Sequence, residues 1–310
     1  MYFPYLRGKQ YELLALRESI SFIDKKKIVP IIEPVRTNTT SLKTAIAVLA
    51  KVGIELQVIV NPEVGDFKHN NATLLAFVDN LIQGGTSTLI PTFLISNDTE
   101  FLRVRAIIEA HGYNNSGYSL IHLNKVNDLD QLKEFTDATN CKYNIVQIAH
   151  LFTIRRKLSG NICMLNDYFN RQSKNTEYIN IPFEVFSSDY LYYHEEGCVA
   201  FSDYQAIGKD YSEGGGAAYA VAIHLTFKDV DKEDIQIAHF VSDSNDGPEN
   251  PALKFFEALE KLIDFAEEKN INSLATRKFR EYYKNQGYPG LGVVKKLSIM
   301  HHIELVQGLI

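Results

Sequence analysis

"KIVPIIEPV", residues 27–35, decides how the chain is read. From Ile28 to Ile32 the run has no polar interruption, and most of it is β-branched. A strand with one wet face alternates apolar with polar residues, whereas a parallel strand covered on both faces reads as continuous hydrophobicity. The same texture returns at "IELQVIVN" (54–61), "TLIPTFLI" (88–95), "YSLIHLN" (118–124) and "YNIVQIAHL" (143–151). Helical periodicity fills the gaps, in "SLKTAIAVLAKV" (41–52), "NATLLAFVDNLI" (71–82), "TEFLRVRAIIEAHG" (99–112) and "LDQLKEFTDAT" (129–139). The strand starts lie 25 to 34 residues apart, close to the roughly 31 residues per unit of an eight-fold βα barrel. A doubly wound sheet also alternates strand and helix, but five units without a G-x-G-x-x-G turn favour the barrel.

The second half is less regular. "NICML" (161–165) and "GCVAFSDY" (197–204) read as strands six and seven. "AAYAVAIHLTF" (217–227) and "IQIAHFVSD" (235–243) read as a hairpin, one strand of which is expected to close the barrel. "PALKFFEALEKLIDFAEEK" (251–269) is an amphipathic helix, with Asn250 as its expected cap. Two shorter helices follow, at about 273–286 and 296–308, separated by "YPGLG" (288–292). The expectation is an α/β, TIM-barrel-like (β/α)8 fold in one domain over 1–310. An N-terminal helix (within 1–26) would plug one end, 27–243 would supply the barrel, and 244–310 the C-terminal helices.

Composition narrows the function classes. A net charge of −6 and a pI near 5.9 argue against a nonspecific nucleic-acid binder, which carries a basic face. "DKKKI" (24–28) and "VVKKL" (293–297) read as solvated surface. Cys141, Cys163 and Cys198 form no C-x-x-C pair and no even-numbered framework, as in a reducing compartment. The N-terminus, with Arg7 and Lys9, lacks the apolar core of a signal peptide, and no stretch reaches the ~18–20 apolar residues of a membrane span. The chain is expected to be cytoplasmic.

In such barrels the chemistry sits where strands end at their C-termini. The candidate catalytic groups are Glu33, Asp167, Asp203, His239 and Asp243. Candidate ligand-binding groups are Asn61, Arg171, Asp210, Tyr211, Ser242 and Asn245. Plainer readings stand beside them: Glu33 pairing with Arg36, and Asn61 in the turn "NPEVGD"; His150, which follows strand five, reads more readily as a core histidine. "NDYFNRQSKNTEY" (166–178) is either a solvated loop or a site where Asp167 is an acid and Arg171 offers a forked donor for carboxylate or phosphate. In "AHFVSDSND" (238–246), Asp243 stands too far from Pro251 to cap the helix, which leaves a loop open to a ligand. Carboxylates including Asp203 and Asp243 could hold Mg²⁺ or Mn²⁺, or supply a general acid and base. Gly214–Gly216 suits a lid. "IMHHIE" (299–304) is not a zinc motif and reads as surface or packing residues.

"YFPYLRGKQYELLALRE", "KIVPIIEPV", "FSDY", "AYAVAIHLTF", "AHFVSDSND" and "YPGLGVVKKLSIMHHIE" together resemble the bacterial and phage "beta family" proteins, in the subgroup beginning YxPYLRGKQxELxALRE. The likeness spans nearly the whole chain. It implies a barrel-like fold and an accessory role in a phage-defence or mobile-element module, beside a nuclease-like protein partner. It carries no catalytic residue across. Two function classes stay open. One is an enzyme or ligand sensor with a polar pocket for an anionic metabolite or nucleotide. The other is a non-catalytic scaffold that restrains a nuclease through its terminal helices.

Overall fold

The computed structural model describes residues 1–158, 160–213 and 219–310. The strands among them are β1 (Tyr2–Leu6), β2 (Ile31–Ile32), β3 (Leu56–Ile59), β4 (Leu89–Ile95), β5 (Tyr118–His122), β6 (Cys141–Gln147), β7 (Ile162–Asn166), β8 (Phe183–Ser187), β9 (Ala200–Asp203), β10 (Ala222–Lys228) and β11 (Ile235–Val241). The helices are α1 (Gln10–Ser19), α2 (Thr40–Lys51), α3 (Ala72–Gln83), α4 (Asp98–Ala110), α5 (Tyr113–Ser116), α6 (Leu129–Ala138), α7 (Ile148–Ile154), α8 (Asp189–Tyr192), α9 (Pro251–Glu268), α10 (Leu274–Asn285) and α11 (Leu291–Leu309). They fall into two compact units, one of Met1–Lys9, Asp24–Asn166 and Leu191–Asp203, the other of Gln10–Ile23, Asp167–Tyr190 and Tyr204–Ile310.

The first unit is a closed barrel of eight parallel strands in the order β1–β2–β3–β4–β5–β6–β7–β9, with β9 pairing back onto β1. The TIM-barrel-like α/β class read from the alternating runs is the class of this unit. Which side chains point inward follows from one contact. The rings of Phe3 and Tyr143 meet edge-on at 4.8 Å, yet β1 and β6 are not neighbours in the wall. They can touch only through the interior. Alternation along β1 then turns Tyr5 and Arg7 inward with Phe3, and Tyr2 outward. Pairing of Tyr5 with Ile31 and of Ile31 with Gln57 carries the inward face to Glu33 and Gln57. Pairing of Tyr2 with Phe201 and of Pro4 with Asp203 puts Asp203 on the outer face.

The first barrel strand is Tyr2–Leu6, ahead of the "KIVPIIEPV" run, where a helical cap alone was expected. All five of its residues are buried, but the segment is too short to declare a period beside the long helical pattern that follows. With β1 supplying the eighth strand, the hairpin has no place in the wall. β10 and β11 pair antiparallel, and β11 pairs antiparallel with β8. An all-parallel cylinder does not admit such a ribbon, so the three form a separate sheet in the second unit. His239, Ser242 and Asp243 therefore do not lie on or after a barrel strand. β8 escapes sequence reading because Phe183 and Val185 are 51% and 58% exposed.

In the second unit α11 packs on β10 and α9 on β11. α1 lies along α11, with Lys295 reaching Glu12 at 3.3 Å and Lys296 reaching Glu18 at 2.6 Å. The "HH" of α11 is buried, which decides between the surface and packing readings in favour of packing. His301 donates to the Thr226 carbonyl at 2.6 Å and meets Ser273 Oγ at 2.8 Å. His302 meets Thr226 Oγ1 at 2.9 Å. Asn250 does stand at the N-cap of α9, but its side chain makes no cap bond, and Pro251 occupies the first turn.

Candidate functional site

Within the barrel, the C-terminal end of β2 delivers Glu33 inward, where its side chain is 1% exposed. Burial of a carboxylate requires a charge partner and hydrogen bonds. Both are present: the Arg7 guanidinium pairs with Oε2, Tyr5 donates to the same oxygen at 2.6 Å, and the Glu63 backbone N–H donates to Oε1 at 3.1 Å. Arg7 also lies 5.2 Å from the centre of the Tyr5 ring. Glu33 thus has Arg7 as its partner, where Arg36 was weighed; Arg36 lies 3.8 Å from Asp66.

Beside this cluster, the β3–α3 connection and the first turns of α4 enclose a cavity of about 470 Å³. Asn61, Pro62, Glu63, Phe67, Lys68, His69 and Asn71 line one side, Glu100, Arg103, Val104 and Ile107 the other. The loop is held in shape by backbone and amide contacts. Asn61 exchanges hydrogen bonds with Leu94, accepting at 2.8 Å and donating at 2.9 Å, and Asn71 donates to the Val60 carbonyl at 2.7 Å. Gly65 sits at φ +73°, where a Cβ would lie 2.4 Å from the Val35 carbonyl oxygen; only glycine lets the two backbones approach so closely. Glu100 accepts from both the N–H and the hydroxyl of Ser96, at 2.8 and 2.5 Å. Desolvation first, then the nearby charges of Glu100 and Glu33, push the Glu63 carboxyl above its ordinary range. Lys68, His69 and Arg103 are exposed on the cavity wall, and none of them has a carboxylate within ion-pair distance among the described residues.

The remaining sequence candidates are distributed differently from the expectation. Asp203 accepts from Tyr2 OH at 2.8 Å on the outer face of the wall. Asp167, Arg171, Asp210 and Tyr211 come together in the second unit. Asp167 accepts the Lys209 N–H at 3.1 Å and the Phe169 N–H at 3.4 Å, and burial raises its carboxyl. Arg171 donates to the Asp210 carbonyl at 3.2 Å, and Tyr211 donates to Glu213 at 3.2 Å. Ser242 is structural: its hydroxyl accepts from Val221 N–H and donates to the Ser244 carbonyl, both at 3.0 Å. Asp243 is 75% exposed and paired with Lys261 at 2.6 Å, which answers its loop position with a surface ion pair. Asn245 lines a second cavity of about 420 Å³ with Lys174, Asn175, Thr176, Tyr219 and Ala220. His239 is buried against His224 and Glu184.

No group of three or more His, Cys, Asp or Glu among the described residues is arranged to hold a metal ion. Asp203 and Asp243, the expected Mg²⁺ or Mn²⁺ ligands, are each engaged with a different partner. The Gly214–Gly216 lid lies outside the described residues. Among those residues no helix is long and apolar enough to cross a membrane.

Sequence reading finds Glu33 and Asn61 but misses Arg7, Tyr5, Glu63, Lys68 and Arg103. The available signal is that "NPEVGDFKHN" (61–70) follows a strand end and carries Lys68 and His69, beside a "NPEVGD" whose polar residues turn chemistry alone accounts for. No family model matches the chain, and none of the curated proteins compared with it matches.

Proposed function

We propose that the barrel binds a small anionic metabolite or nucleotide in the cavity at the C-terminal ends of β3 and β4. The observation that carries this reading is the pair of cations, Lys68 and Arg103, that have no ion-pair partner among the described residues and stand with His69 around a space of about 470 Å³, a volume typical of small-molecule sites. Arg103 offers a planar fork to a phosphate or carboxylate. Glu63, whose carboxyl desolvation pushes above its ordinary range, lines the same space. The Arg7–Glu33 pair fixes the Glu63 backbone and so the floor of the loop. The likeness to beta family proteins supports placing this site in a phage-defence or mobile-element module with a nuclease-like partner.

A thermal-shift panel tests the binding, with inorganic phosphate, pyrophosphate, nucleotides and sugar phosphates, and with Mg²⁺ and Mn²⁺ as separate arms. A ligand at a hundred times its Kd stabilises by about 2.7 kcal/mol. The expected result is a shift with one anion class that Arg103→Ala and Lys68→Ala abolish without altering the unliganded Tm. No shift with any anion, or equal shifts in the variants, removes the cavity from consideration.

A further inference from the structure

The charges around the barrel cavity are of both signs, and they do not neutralise one another. The β3–α3 connection brings Glu63 and Lys68 to its lining, and α4 brings Glu100 and Arg103. Two carboxylates and two cations sum to zero, yet none of the four has an ion-pair partner among the described residues. Glu100 and Arg103 stand three apart on one helix, a spacing at which opposite charges ordinarily meet. Even these two do not pair.

Both acids are held in place with acceptor atoms to spare. Glu100 commits one oxygen, Oε2, to the N–H and the hydroxyl of Ser96, and its backbone is fixed by the Asn97 cap at 2.9 Å. Its Oε1 receives no hydrogen bond among the described residues. Glu63 is anchored through its main chain, between the buried Pro62 and the 3.1 Å bond from its N–H to Glu33. Neither of its carboxylate oxygens has a donor among the described residues. Desolvation first, then the like charges of Glu100 and Glu33, raise the Glu63 carboxyl, so the acidic part of the lining is short of positive charge.

Such a lining meets a simple anion with both attraction and repulsion. Lys68 and Arg103 favour it, while Glu63 and Glu100 oppose it as like charges. A ligand that carries an ammonium as well as its anion satisfies both sets. An ammonium has three N–H donors and no acceptor, which suits the three oxygens left open on Glu63 and Glu100. Its charge also relieves the repulsion between the carboxylates.

We propose that the ligand of this cavity is a zwitterion: a phosphate or carboxylate held by Lys68 and Arg103 that also bears an ammonium paired with Glu63 and Glu100. This selectivity rests on the cavity being the anion site proposed above, and it narrows what that site accepts.

Isothermal titration of the full chain with two matched pairs tests it: phosphoethanolamine against n-propyl phosphate, and β-alanine against butyrate. Within each pair an ammonium replaces a methyl group. In the pair whose anion the site accepts, the ammonium-bearing member is expected to bind about tenfold tighter, the strength of one hydrogen bond between charged groups. The responding pair identifies the anion as phosphate or carboxylate. Glu63→Gln, which leaves the backbone bond to Glu33 in place, is expected to abolish that preference, weakening the ammonium-bearing ligand and tightening the plain anion. A purely structural role for Glu63 would weaken both alike. Binding of propyl phosphate, butyrate or pyrophosphate with no preference for an ammonium, or a preference unchanged in Glu63→Gln, overturns the zwitterion and leaves the anion site standing. No binding by any of these probes, pyrophosphate included, removes the anion site and the zwitterion together.

Discussion

Arg7 and Glu33 show how one residue can be read correctly and still be misassigned. An acid leaving so apolar a run had to find a partner, but that partner comes from a strand that precedes it in the chain rather than from the adjacent Arg36. Removing the cation strands a carboxylate that is 1% exposed, which costs about 3–5 kcal/mol. Arg7→Ala is therefore expected to lower the denaturation midpoint steeply, and Arg7→Ala/Glu33→Gln to recover part of the loss; equal midpoints for the single and double variants would show that the pair is not coupled. Gln57 is the opposite case. It faces the barrel interior with neither amide atom hydrogen-bonded among the described residues, and an unmet buried polar group costs about 1–3 kcal/mol. Gln57→Met, close in volume, is expected to raise stability by about that amount in urea titrations, and a loss would mean that the amide has a partner in solution.

Among the elements, legibility tracked how much of each strand or helix announces its own burial. β3, β4 and β5 are buried along their whole length and were visible as apolar runs, and the helices after them lie close to where the 3.6-residue period put them; β6 is buried only over Asn144–Val146, and the end of its run, from Ile148, is helix α7. β1 has only five residues, and "YFPYL" was absorbed into the helix after it. β10 and β11 carry the same texture as barrel strands because β11 is buried at every position and β10 at most of them; β-branched hydrophobicity reports burial, not the partner or its direction. That ambiguity put His239, Ser242 and Asp243 on or after a barrel strand, whereas β11 belongs to the three-stranded sheet of the second unit. Helix ends were more local. Ser273 caps α10 through a capping box with Thr276 and also meets His301 at 2.8 Å. Ser273→Ala is expected to cost about 1–2 kcal/mol, at the upper end because His301 loses its partner as well. A cost below ~0.5 kcal/mol would indicate that the α10 cap contributes little.

Over the whole molecule, buried neutral histidines set the response to acid. Burial lowers His122 to about 4, His301 to about 4 and His224 to about 3, and His239 is lowered in the same direction by its burial. In the unfolded chain these groups take up protons below about pH 6.5, while the folded chain does not. Their contribution is complete above that pH and is lost as the pH falls toward 4, at up to about 1.4 kcal/mol per pH unit for each histidine. Denaturation midpoints are expected to be level from pH 7 to 8 and to drop sharply between pH 6 and 4.5; a flat profile across that window would show that the histidines are accessible or already charged in the fold.

Isothermal titration of the intact chain with pyrophosphate is the sharpest test of the cavity of the barrel unit as an anion site. Saturable one-site binding that weakens as salt rises and disappears in Arg103→Ala is the predicted result. Undiminished binding in Arg103→Ala, or no heat of binding at millimolar pyrophosphate, would contradict it.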